Sequence, residues 1–178
     1  DRAGAVVRWR SLAAFIGIVV ATNAVTSALG VVTWLGIAAT AGTWLAGLSF
    51  VARDSVHDAL GSRWVVGCII AGAAVSAAFS PTLALASATA FLLSEFADFA
   101  IYAPLRRRGY LRAALVSNLA GSVVDSLVFL SIAGFPMSII WAQVGIKYAT
   151  TTVVVLLIWG CRAVFRQPIN TSGGGRNA

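Results

Sequence analysis

The sequence predicts an all-α, polytopic membrane protein with six transmembrane helices and both termini in the cytoplasm. Three observations carry this. Hydrophobic residues make up 59% of the 178 residues and charged residues 11%, with a mean hydropathy of +0.88. An average soluble domain is about half apolar and about a quarter charged. Apolar runs near the length of roughly 20 residues needed to cross a bilayer recur along the chain. Arginines occur only in alternate connections between those runs. So few charges cannot clothe a globule of this size, which excludes an ordinary soluble enzyme, and disorder requires low hydrophobicity. A β-barrel needs alternating strands of about 10 residues, and no such alternation is sustained.

The first run, about Leu12 to Leu29, follows Arg8 and Arg10. Thr26-Ser27-Ala28 resembles a signal cleavage site, but the stretch exceeds the usual signal core of about 7–15 residues, so it reads as a span. The second run is about Val31 to Val51, set off by Gly30 alone. A polar loop, Arg53-Asp54-Ser55-Val56-His57-Asp58, leads to the third and shortest run, about Trp64 to Phe79; His57 reads there as a solvated loop residue. The fourth run is Leu83 to Ala103, the fifth about Ala113 to Phe135, and the sixth Ile139 to Cys161. Together they predict a single six-helix transmembrane domain over residues 1–166. Residues 167–178, ending in Ser-Gly-Gly-Gly-Arg-Asn-Ala, read as a disordered tail. The chain opens on Asp1 rather than Met, which leaves room for residues ahead of it.

Orientation follows from the arginines. They precede the first run (Arg2, Arg8, Arg10), separate the second from the third (Arg53, Arg63) and the fourth from the fifth (Arg106, Arg107, Arg108, Arg112), and follow the sixth (Arg162, Arg166, Arg176). The other three connections, Gly30, Ser80-Pro81-Thr82 and Gly134 to Ser138, carry no Lys or Arg. The positive-inside rule therefore puts both termini in the cytoplasm. The net charge of +7 is this topological charge; with no basic helix face, a nucleic-acid partner is not expected. Cys68 and Cys161 lie in apolar runs and form neither a metal spacing nor a disulfide framework. No metal or other cofactor is expected.

Ionisable residues inside a membrane are costly, so each is a candidate for function. There are four: Glu95 and Asp98 in the fourth span, Asp125 in the fifth and Lys147 in the sixth. Polar and aromatic neighbours share their helical faces. Glu95, Asp98 and Tyr102 form one stripe, Asn118, Ser122, Asp125 and Phe129 a second, and Gln143, Lys147 and Thr150 a third. The first span adds Thr22, Asn23, Thr26 and Ser27. Counting from a hairpin tip at residue 136 puts Asp125 and Lys147 level, roughly 16 Å from the turn. Counting from a tip at residue 108 puts Asp98 level with Asn118, and Glu95 level with Gly121, where a space is expected. Asp125 and Lys147 suit structural pairing and a binding role equally. Glu95 and Asp98, one turn apart, need a cation, a proton or a donor-rich ligand. Three acids against one lysine leave an excess of acid, which suits a ligand presenting N–H groups.

Ser94-Glu95-Phe96-Ala97-Asp98-Phe99-Ala100-Ile101-Tyr102, with Leu105-Arg106-Arg107 after it, resembles the fourth-span signature of the queuosine precursor transporter family, also called the vitamin uptake transporter family. Ser117-Asn118-Leu119-Ala120-Gly121-Ser122-Val123-Val124-Asp125-Ser126-Leu127-Val128-Phe129 resembles its fifth-span signature. Arg53-Asp54 and Lys147-Tyr148 fit as well, and the resemblance covers about residues 50 to 150. It implies a six-span protein of the bacterial inner membrane that imports 7-deazaguanine precursors such as preQ0 or preQ1. The substrate-binding candidates are Glu95, Asp98, Tyr102, Asn118, Ser122, Asp125, Phe129 and Lys147. A guanine-like edge offers N1–H and an exocyclic amine side by side, which a carboxylate accepts together. Glu95 or Asp98 would read it, and Phe96, Phe99, Tyr102 or Phe129 would stack on the ring.

The expected partners are a small purine-like base and the lipid bilayer, with a homo-oligomer allowed. The alternative is a substrate-binding membrane subunit for another vitamin-like molecule, energised by a separate module, since no P-loop occurs in the chain. An intramembrane enzyme is not expected: no histidine lies in a span and no protease motif surrounds Asp98 or Asp125. A purely structural subunit would require the buried charges to be replaceable.

Overall fold

The computed structural model describes residues 2–165, so the expected tail at 167–178 lies outside the described residues. Six α-helices account for most of these residues: α1 (Arg2–Leu29), α2 (Thr43–Leu60), α3 (Ser62–Ser76), α4 (Pro81–Leu105), α5 (Tyr110–Ala133) and α6 (Ile140–Phe165). Four segments are long and apolar enough to cross a membrane: Trp9–Leu29, Pro81–Tyr102, Leu111–Ala133 and Met137–Leu157. At 18 and 15 residues, α2 and α3 would be about 27 and 22 Å long, short of a hydrocarbon core of about 30 Å.

The second apolar run is where the structure departs from the expectation. Residues 31–51 do not form one helix. Val31–Trp34 (β1) and Ile37–Thr40 (β2) make an antiparallel hairpin, with Val31 paired to Thr40 and Trp34 to Ile37. Leu35 and Gly36 turn it, both with positive φ (51° and 78°), the twist that a two-residue hairpin requires. The β-branched Val31, Val32 and Thr33 favour the extended chain. A short apolar run looks alike as helix or strand by composition. The helix therefore begins twelve residues late and runs through the stretch expected as the polar loop. Arg53 and His57 lie inside α2, not in a connection.

Successive helices run in alternate directions. One end of the bundle carries the hairpin, the α3–α4 turn and the α5–α6 turn, and the other carries Arg63, Arg107, Arg108 and Arg112. Exposed tryptophans mark both ends: Trp34 and Trp141 near the hairpin, Trp9 and Trp64 at the arginine end. Tryptophan is enriched at both membrane–water interfaces for its amphipathic ring. Between these levels the outer surface is apolar, with Leu85, Phe96, Phe99, Val116 and Leu157 all exposed.

Helix packing relies on small residues. The most extensive contact is between α4 and α5. There Gly121 lies against the Ser94 carbonyl and the Asp98 side chain, so the space expected opposite Glu95 is closed by the neighbouring helix. α2 crosses α6 at Gly47: a β-carbon there would stand 2.6 Å from Thr150 Cβ and 3.1 Å from the Lys147 carbonyl. Thr151 Oγ1 closes this crossing, 2.9 Å from the Lys147 carbonyl and 3.1 Å from that of Gly47.

Gly47→Val should therefore push α2 off α6 and destabilise the protein by about 1–3 kcal/mol, the usual cost of overpacking. Gly145→Ala, where an added β-carbon meets nothing within 4 Å, should leave the melting temperature in detergent unchanged or slightly raised. Equal melting temperatures for Gly47→Val and the parent would refute the crossing.

Candidate functional site

Lys147 sits at the midpoint of the apolar segment Met137–Leu157, 3% exposed. A buried ammonium needs partners for its charge and its donors. Its Nζ donates to Asp125 Oδ2 at 2.6 Å and to Ser126 Oγ at 3.2 Å, both on α5. It also stands 5.8 Å from the centre of the Phe129 ring, within cation–π range. The level placement of Asp125 and Lys147 expected from hairpin counting is thus what the structure has. Among the described residues, Asp125 Oδ1 takes no partner.

This pair forms one wall of a central cavity. α1 contributes Thr22 and Thr26, β2 Thr40, α2 Thr43, Ser49 and Phe50, α4 Ser87 and Phe91, α5 Asp125 and Phe129, and α6 Lys147. The cavity volume is about 30 Å³. It is a narrow slot with a polar belt and aromatic walls. The hydroxyls at its hairpin end are ordered by one another. Gln143 Nε2 donates to Thr40 Oγ1 at 2.9 Å, Thr40 and Thr43 share a hydrogen bond of 2.8 Å, and the Gly42 N–H donates to Thr26 Oγ1 at 3.0 Å.

The sequence candidates divide between two places. Asp125, Phe129 and Lys147 line the cavity. Glu95, Asp98, Tyr102, Asn118 and Ser122 are not among its lining residues. Asn118 and Ser122 are buried on α5 toward the arginine end, Ser122 Oγ without a hydrogen-bond partner. Tyr102 is half-buried on α4. Phe96 and Phe99, considered as stacking groups, are 73% and 70% exposed and face away from the bundle interior.

Glu95 and Asp98 have a partner that the sequence did not reveal. Arg53, expected in a solvated loop, is 5% exposed on α2. Its Nη1 donates to Glu95 Oε1, and its Nη2 lies 3.9 Å from Asp98 Oδ2. The three intramembrane acids therefore face two cations, not one. Arg53 also lies over the Phe50 ring, 5.7 Å from its centre. The cavity residues of α2 were missed for the same reason as Arg53. Thr43, Ala46, Phe50 and Arg53 share one helical face, but only once the helix is known to start at Thr43.

Residues 11–161 match the family described as "Putative vitamin uptake transporter". The chain belongs to this family. Its membership makes the protein a membrane protein of a transporter family, in keeping with the four long apolar segments. No curated protein and no solved structure matches the chain.

Lys147→Ala should strand the Asp125 carboxylate in the interior and cost about 3–5 kcal/mol. Replacing both charges by apolar groups of similar size, Asp125→Leu with Lys147→Met, should recover most of that loss. Thermal unfolding of the parent and these two variants checks this; a double variant no more stable than Lys147→Ala would refute the pairing account.

Proposed function

We propose that this transporter imports a neutral or cationic purine-like base, best fitted by a 7-deazaguanine precursor of queuosine such as preQ0 or preQ1, across the bacterial inner membrane. The observation that supports it is the Asp125–Lys147 pair beside aromatic rings in the central cavity. Asp125 has one carboxylate oxygen without a partner, positioned to accept N1–H and the exocyclic amine of a guanine-type edge in exchange for part of its bond to lysine. Lys147 carries three N–H donors and gives two of them to Asp125 and Ser126. The third suits the ring carbonyl. Phe50, Phe91 or Phe129 covers the face of the ring, and the threonine belt meets its remaining polar edge. The slot is narrow, so the base enters as its walls part.

In this reading Glu95, Asp98, Tyr102, Asn118 and Ser122 lie along the route between the cavity and the arginine end. Six spans and two cytoplasmic termini complete the proposal. The alternation of helix direction and the grouping of described arginines at one end support them.

Two experiments test it. A phosphatase fused after Ser80 should be active and a fluorescent protein fused after Gln167 should fluoresce; matching compartments for the two positions would sink the topology. Proteoliposomes should take up labelled preQ0 or preQ1 in preference to guanine. Asp125→Asn, which exchanges an acceptor oxygen for a donor, should weaken binding by about 2 kcal/mol or more, the cost of a buried charged hydrogen bond left unmade. Parental uptake by Asp125→Asn would remove the physical basis for a purine substrate.

A further inference from the structure

The slot is closed toward the arginine end by two layers of side chains. The first is aromatic. Phe50 on α2 and Phe91 on α4 both line the cavity, and their rings stack at 5.4 Å with 19° between planes. Phe15 of α1 packs on Phe91 from the side, also at 5.4 Å. The second layer is ionic. One turn further along each helix, Arg53 follows Phe50 and Glu95 follows Phe91, and the two form the ion pair that also approaches Asp98. Arg53 lies over Phe50, so the layers touch.

These side chains bridge a seam that the backbone does not close. α4 packs intimately on α5, and α2 packs on α1 and α6, but the α2 and α4 backbones hardly approach each other. The ionic layer is less enclosed than the aromatic one: Glu95 and Asp98 keep 28% and 18% of their side-chain exposure, whereas Phe50 is 4% exposed. In an ion pair taken out of bulk water, desolvation cancels much of the Coulomb attraction. The pair fixes the closed alignment without making it hard to leave.

We infer that the α2–α4 seam is the gate on the arginine side of the cavity, with Arg53–Glu95/Asp98 as its latch and Phe50–Phe91 as its water-tight plug. The inference rests on the reading of the cavity as the transport site. Opening separates the latch, lets water solvate both partners, and parts the two rings as the α4–α5 pair moves away from α2. Glu95 and Asp98 then act on transport by holding a conformation, not by reading the base.

The test uses the full-length protein in inverted membrane vesicles, with Cys68 and Cys161 replaced by alanine and a reporter introduced as Ser49→Cys in the cavity wall. A membrane-impermeant methanethiosulfonate added from the arginine side should label the closed parent slowly. Arg53→Gln, Glu95→Gln and Phe91→Ala, each weakening the closed state, should raise the labelling rate about tenfold by shifting the population toward the open one. In the complementary arm, Arg53→Cys with Glu95→Cys, joined by a short bifunctional thiol reagent in a background without the reporter, should stop uptake of labelled preQ1 while leaving its binding intact. Labelling at the parental rate in all three variants would overturn the gate, as would parental uptake by the cross-linked protein. Should a single variant fail to fold, labelling of the other two still decides. Labelling needs no substrate, so the two readings fail separately. Faster labelling without 7-deazaguanine uptake keeps the gate and rejects the purine. Purine uptake with unchanged labelling does the reverse.

Discussion

Lys147 is the constraint around which the rest of the bundle is arranged. An ammonium in a low-dielectric interior is tolerated only with its charge compensated and its donors engaged. Asp125 and Ser126 meet that demand, and both lie on α5, so the register of α5 against α6 is set at this level. The same turn of α6 governs α2. The Lys147 carbonyl receives the Thr151 hydroxyl, which also lies within hydrogen-bond distance of Gly47, and α2 comes close enough for this only because Gly47 has no side chain. One residue thus ties three helices, by its side chain to one and by its backbone to another.

From that fixed point the polar groups sort into two tiers with different partners. Next to Lys147 the cavity has hydroxyls held by short neutral hydrogen bonds, Thr26 by the Gly42 N–H and Thr40 by Thr43 and Gln143. Such groups can exchange partners with a ligand at small cost, because each bond lost is replaced by a similar one. Toward the arginine end the interactions are ionic and aromatic and join α2 to α4. A vitamin uptake transporter must both hold a small molecule and let it go. In the transport reading proposed above, the two tiers would divide that work between a site of adaptable donors and acceptors and a closure of interlocking side chains.

Much of the site was legible by counting. Asp125 and Lys147 are equidistant from one tight turn, and a helical hairpin preserves that equality whatever surrounds it. Counting from the turn at residue 108 also set Gly121 level with Glu95, but the space expected there is closed by α4. Arg53 was not legible. Its partners lie on a helix that is not adjacent in sequence, so no counting from a turn links them. An arginine next to Asp54 and His57 also has the composition of a loop. The acid excess that pointed to a donor-rich ligand at Glu95 and Asp98 falls from two to one once Arg53 is placed.

The sequence by itself determined the membrane class, the helices α1, α4, α5 and α6, and the Asp125–Lys147 level. These depend on run length, composition and local periodicity, which a chain carries without reference to its neighbours. Tertiary structure alone decided the fate of residues 31–51. The apolar composition of Val31 to Thr40 is compatible with strand or helix, and the extended form is held by pairing between β1 and β2 and by the bond from Gln143 across to Thr40. That choice started α2 at Thr43, turned Phe50 and Arg53 inward, and gave the carboxylates of α4 their cation. The contacts that made it join residues 103 and 42 positions apart in the chain, a range over which hydrophobic periodicity carries no information.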